Sequence, residues 1–345
     1  MEIYSTEELI GVIYAQEPLV PYWLNFFPGE MTFEREQIDF DMVGDDRRLA
    51  PFVAPNVQGK VMRDKGYTTK SFKPAYVKPK HVVDPSRAIK RRAGEPLLGT
   101  LSLQDRFDAV VAENLMWERK AIERRLEWMA AQAVIHGAVT VVGDDYPAVT
   151  VDFGRDPSLT IALAGAAKWV STNTGVNPLK DLEDARRQVH RLAKSGVTRL
   201  TFGLDAWDAF TSFDTVRELL HNTYRGSDTE FNRAVSDGSP QEYRGFISGQ
   251  NGMGRLELWT YDDEYEEENG TMVPFLDSGT VVGTGPGLQG VQCFGAIRDR
   301  AALRAMRMFP KMYEENDPST VYTLTQSAPL VVPAQPNACF AMKVV

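Results

Sequence analysis

The run LQDRFDAVVAENLMWERKAIERRLEWMAAQAVIH, residues 103–136, constrains the fold more than any other part of this chain of 345 residues. Ser102 stands at the position of a helix N-cap with Asp105 three residues on, and Gly137 follows as a stop. Phe107, Val110, Val111, Leu115, Ala121, Ile122, Leu126, Met129 and Ala133 recur at the spacing of one helical face. Glu113, Glu118, Arg119 and Glu123 are expected on the opposite, solvated side. A helix of this length reaches about 51 Å at ~1.5 Å per residue. A compact chain of this size has a radius of gyration of only about 20 Å. The helix must therefore cross the whole molecule as a spine. A coiled coil is the competing reading, but a single stripe without further heptads favours packing on a sheet.

What precedes the spine has little core of its own. Ser5 and Glu8 form a capping box that opens a short helix to about Tyr14. The loop LVPYWLNFFPG follows, and then FEREQIDFDMV, whose alternation at Ile38, Phe40 and Met42 predicts a strand. Residues 1–51 read as an arm laid across something else. Residues 52–100 read as an extended excursion with two limbs. Its second limb puts Tyr76, Lys78, Lys80 and Val82 on one face and Val77, Pro79, His81 and Val83 on the other. Pro74, Pro79 and Pro85 lack amide hydrogens and bar this limb from the middle of a sheet. About 15 extended residues span ~50 Å. The expectation is a projecting hairpin that buries its apolar face on something outside itself.

Beyond Gly137, AVTVVGDD and YPAVTVDFG predict a hairpin, and DLEDARRQVHRLAKSG an amphipathic helix. VTRLTFG is a buried strand and DAWDAFTSF begins another helix. Strands then dominate, in GRLELWTYDD, TMVPFLDSGTVVGTG, VQCFGAI and TVYTLTQSAPLVVP. The class is α+β, with no regular βαβ alternation and no repeat. The segments fall as arm 1–51, loop 52–100, spine helix with sheet 101–155, a mixed centre 156–300, and a return 301–345.

Charge separates the loop from the rest. Residues 60–92 hold eleven Lys or Arg against Asp64 and Asp84, while the remainder has 27 bases against 45 acids. The whole chain is at -9. A cationic strip on an anionic body fits a complementary partner surface, such as a neighbouring copy, better than a polyanion that the body repels. The candidate contacts are Lys60, Arg63, Lys65, Lys70, Lys73, Lys78, Lys80, Arg87 and Arg91. A nucleic-acid-binding module using the same 60–92 strip, with Tyr67, Phe72 and Tyr76 among the bases, is the alternative.

The sequence calls for no enzyme and no cofactor. GPGLQG at Gly285–Gly290 fits the dinucleotide pattern GxGxxG, but β-like VQCFGA follows where a helix must open. A nucleotide-dependent enzyme built on those glycines is the weaker alternative. DDEYEEENG, residues 262–270, lacks the ligand spacing of a calcium loop and reads as a hairpin tip turning at Asn269-Gly270. His81, His136, His190 and His221 are far apart, which argues against a metal site, and Cys293 and Cys339 read as buried thiols in a reducing compartment. No run approaches the roughly 18 apolar residues of a membrane span. The polar, acidic start MEIYSTEELIGVIYAQE is no signal peptide.

FVAPNVQGKVMRDKG at 52–66, YVKPKHVVDP at 76–85, VDFGR at 151–155 and TLTQSAPL at 323–330 are islands in which the chain resembles the major capsid proteins of lambda-type tailed phages, the capsid protein E family. The likeness covers nearly the whole chain and is mainly one of pattern over 156–300. It implies the Hong Kong 97-type fold: an arm, an extended loop, a peripheral domain on a spine helix, and an axial domain. It further implies hexamers and pentamers in an icosahedral head around double-stranded DNA, with a precursor shell that expands. Separate scaffold, portal and decoration proteins are the implied partners, and the virion is the implied location.

Overall fold

The computed structural model describes residues 4–15, 20–35, 37–43, 67–83, 89, 102–143, 146–170, 173, 175–217, 240–248, 255–267, 269–302, 304–317 and 319–345. Its longest element is the helix Leu103–Ile135. Ser102 accepts from the Asp105 amide and Asp105 closes the reciprocal bond, so the capping box forms. The helix ends where Gly137 adopts a φ of +70°, a left-handed conformation that a side chain resists. A Cβ at Gly137 would also lie 2.7 Å from the Cβ of Arg155.

Two sheets flank this spine. Lys80–Val83 is an edge strand on Ser319–Gln326, which pairs in turn with Phe309–Asn316. Gly29–Thr32, Val291–Phe294 and Pro329–Val332 form the other, with the arm strand parallel to its neighbour. The central sheet runs in the order Thr160–Ala162, Cys339–Lys343, Thr280–Thr284, Arg199–Phe202, Arg255–Tyr261, Gln241–Ser248. Helices Pro178–Ala193 and Leu204–Ser212 pack on it. The last strand thus returns to the central sheet, and the six strands mix parallel and antiparallel pairs as an α+β chain requires.

Local signals translated directly in most places. Ser5 and Glu8 cap the helix Thr6–Ala15, and the predicted strand at 38–42 is Ile38–Val43, paired with Tyr67–Phe72. The hairpin after the spine is Ala138–Gly143 with Tyr146–Asp152. The acidic tip is a hairpin of Glu264–Glu266 and Met272–Pro274, turning at Gly270 with a φ of +82°.

Two expectations require correction. The limb at 76–83 buries its apolar face outside itself as expected, but on this chain's own sheet and spine helix rather than as a free projection. Val83 is buried, Lys80–Val83 is paired, and Val77 bridges to Ser327. The covering strand and the spine helix come from far downstream, which the thin apolar content of the limb could not reveal. The edge position is the one its prolines allow. The alternation itself is as expected: Lys78, Lys80 and Val82 are exposed while Val77, Pro79 and His81 are partly covered. The second correction concerns the spine. Glu118, Arg119 and Glu123 are buried and Ala121 is exposed. The buried arc is wider than the apolar stripe because arm and sheet cover the helix from two sides.

Candidate functional site

The spine helix holds its neighbours through buried charged residues. At ~100° per residue, Glu118 and Glu127 stand on opposite flanks of the buried arc, with Arg119 and Glu123 between them. Glu127 accepts the backbone N–H groups of Tyr22, Trp23 and Leu24 at 2.8, 2.6 and 2.9 Å. These are orphan donors at the start of the single turn Trp23–Phe26. The indole of Trp23 is fully buried and meets Tyr261 edge-on at 5.4 Å. Arg119 donates to Glu123 at 2.8 Å and to the carbonyl of Ile13, so it ties down the first helix of the arm as well.

Glu118 faces the sheet. It accepts the hydroxyls of Thr323 at 2.7 Å and Thr325 at 2.6 Å, and lies 3.3 Å from Nδ1 of His81 on the limb. Burial pushes its carboxyl above the ordinary range, against the hydroxyls and His81, which pull it down. Burial likewise raises Glu127 against its three N–H donors. At the helix C-terminus Arg155 donates to the carbonyls of Val134 at 2.7 Å and Ile135 at 2.6 Å, and to Thr160 Oγ1 at 2.7 Å. These are among the last carbonyls a helix leaves unpaired.

The candidate contacts are scattered over this frame. Lys60, Arg63, Lys65, Arg87 and Arg91 lie outside the described residues. Lys70 stands opposite Phe40 in the arm-to-loop pair, and Lys73 is exposed just beyond it. Lys78 is exposed, its Nζ 4.9 Å from the ring centre of Tyr76. Lys80 points outward from the edge strand, with Nζ 3.8 Å from the ring centre of Tyr322 and 5.3 Å from that of Tyr313. Those two rings stack at 5.3 Å. The positive face of the limb is thus laid partly on the chain's own tyrosines.

The glycine-rich loop does not make a nucleotide cradle. Pro286–Leu288 is a single turn between strands Thr280–Thr284 and Val291–Phe294. A Cβ would meet the Gly196 carbonyl at 2.0 Å from Gly285, Ser195 Oγ at 2.6 Å from Gly287, and the Phe27 ring at 2.1 Å from Gly290. These glycines let neighbouring chain segments approach closely. Cys293 and Cys339 are buried, and burial pushes the Cys293 thiol up to about 11.

Residues 5–344 match the family Phage major capsid protein E. This chain belongs to that family. It is 31% identical to the major capsid protein of Escherichia phage N15 over 99% of both chains, and 30% identical to that of Escherichia phage lambda over 98% of both. The crystal structure of a prophage capsid protein from E. coli CFT073 superposes with a TM-score of 0.76 at 25% identity, over 100% of both chains. The fold is the Hong Kong 97 capsid type, and the chain is a major capsid protein of tailed phages with the virion shell as its location. No helix among the described residues is long and apolar enough to cross a membrane.

With the family in hand, the sequence islands acquire a physical meaning. YVKPKHVVDP carries His81, TLTQSAPL carries Thr323 and Thr325, and VDFGR carries Arg155. All four side chains bear on the spine helix. FVAPNVQGKVMRDKG lies outside the described residues. Sequence periodicity missed Glu118 and Glu127 as attachment points. A signal was present, because Glu118 sits three residues after Leu115 and four before Ile122, in register with the buried stripe.

Proposed function

We propose that this subunit builds hexamers and pentamers of an icosahedral head, and that it does so as a structural protein with no catalysis of its own. The match over residues 5–344 carries the reading. The shell forms first as a precursor that expands, around double-stranded DNA held without sequence-specific contacts. Scaffold, portal and decoration proteins are separate chains. An acidic body suits a container, since a basic lining would hold DNA tightly through counterion release. The proposed division is an arm over 1–51, an extended loop over 52–100, a peripheral domain over 101–155 that 301–345 rejoins except for its last strand, Cys339–Lys343, which lies in the central sheet, and an axial domain over 156–300.

The basic limb contacts the next subunit. Its residues Lys60, Arg63, Lys65, Lys70, Lys73, Lys78, Lys80, Arg87 and Arg91 dock on acidic surface of an adjacent copy, where many weak contacts act at once. The exposure of Lys78 and Lys80 supports this, as does the edge position of the strand Lys80–Val83. Reversing both to Glu should abolish particles in electron micrographs while the subunit keeps its melting transition. Normal particles from the double variant would refute the limb's role, and the family assignment would stand.

A further inference from the structure

The spine helix sorts its charges by side. Glu118, Glu123 and Glu127 face inward, whereas Lys120, Arg124 and Arg125 are exposed on the opposite arc, beside an exposed Trp117 and a partly buried Trp128. At ~100° per residue these outer positions form one stripe about 16 Å long. They line a groove of about 470 Å³, closed on its far side by Tyr265 and Glu266. Trp117 is 54% exposed, which is unusual for so large an apolar side chain. Arg125 lies 5.2 Å from the ring centre of Trp128, and Trp128 Nε1 is shut off from water without an acceptor among the described residues. No acid among the described residues pairs with Lys120, Arg124 or Arg125. A protein with net charge -9 therefore carries an aromatic groove rimmed by three cations that no acid among the described residues neutralises.

We propose that this groove docks an acidic polypeptide segment of a partner protein, bearing an apolar side chain between its carboxylates. Aromatic walls ask for an apolar anchor, and the cations ask for carboxylates on either side of it. The length of the stripe matches about three turns of helix. Duplex DNA fits less well. It is a stiff polyanion with no apolar group to enter the groove between the aromatic walls. The groove is distinct from the basic limb, so the inference does not depend on the limb's role in assembly.

The test uses the full-length chain and three labelled probes followed by fluorescence anisotropy. They are a peptide of about twelve residues with a Leu flanked by Glu on the same helical face, an all-Glu peptide of equal length, and a duplex of about 20 base pairs. The Glu/Leu peptide should bind best, and its affinity should fall about tenfold or more in Lys120→Glu/Arg124→Glu and in Trp117→Ala. Lys120→Gln/Arg124→Gln, a milder pair for which a retained melting transition is checked, should fall in the same direction. The proposal is overturned if the Glu/Leu peptide fails to bind or binds the variants unchanged. It is equally overturned if the duplex binds more tightly than the peptide and loses that binding in the charge variants. A second copy as occupant would also overturn it. That outcome would appear as self-association lost in Lys120→Glu/Arg124→Glu and regained when Glu266→Lys is present on the other copy.

Discussion

The arm and the basic limb are fastened to opposite flanks of one helix, and the two fastenings differ in kind. Glu127 grips the arm through three backbone N–H donors, in a setting where Trp23 is fully buried. Those donors have no protonation equilibrium, and the groups they belong to cannot turn away without unmaking the turn. Glu118 holds the limb and the sheet through two threonine hydroxyls and a longer approach of 3.3 Å to His81. The His81 side chain is 42% exposed, and the limb is otherwise an edge strand. The arm is therefore built in as part of the core. The limb is a strand hung on the margin, held by backbone pairing and one ionisable cluster. This places the rigid attachment on the arm and the adjustable one on the limb.

Glu127 is where the difference between the two attachments is largest. Glu127→Ala leaves three buried N–H donors without acceptors and should cost about 3–5 kcal/mol in urea unfolding. Proteolysis should then cut near the start of the arm. A loss under about 1 kcal/mol would show that aromatic packing of Trp23 alone anchors it. Next, Glu118→Ala should cost about 2–3 kcal/mol, because two threonine hydroxyls lose their acceptor but can rotate toward others. If it costs more than Glu127→Ala, the ranking of the two attachments is reversed.

A smaller effect is expected in the pH dependence of Glu118. Its folded-state value is raised above the ordinary 4.5, chiefly by burial. A carboxyl that binds its proton more tightly when folded contributes stability in full below its ordinary value and loses it as pH rises through the raised one. The stability of the wild-type chain relative to Glu118→Gln should therefore decline from about pH 4 toward neutrality, as read from melting temperatures across that range. A difference that instead grows with pH would mean that the hydroxyls and His81 outweigh burial. The smallest effect belongs to His81→Ala, expected to cost about 1 kcal/mol or less, since a half-exposed histidine at 3.3 Å contributes little. A cost of 2 kcal/mol or more would make the limb's attachment as firm as the arm's.

Much of this architecture is written in local sequence. The capping pairs Ser5–Glu8 and Ser102–Asp105, the stop at Gly137, the turn at Asn269–Gly270 and the alternation of residues 76–83 are each decided within a few residues, by backbone donors in need of acceptors and by side chains that alternate or repeat. The islands at 76–85, 151–155 and 323–330 carry the family likeness in local sequence alone. Periodicity alone could not say which charges on the spine turn inward. A helix repeats its faces without naming their neighbours, and the groups that meet Glu118, Glu127 and Arg155 lie far away along the chain. Only the tertiary structure brings Tyr22, His81 and Thr323 to that one helix, and in doing so it buries the acids and leaves Lys120, Arg124 and Trp117 facing out. Burying a carboxylate is tolerable only with such donors in place, and they are assembled by the fold rather than by any stretch of sequence.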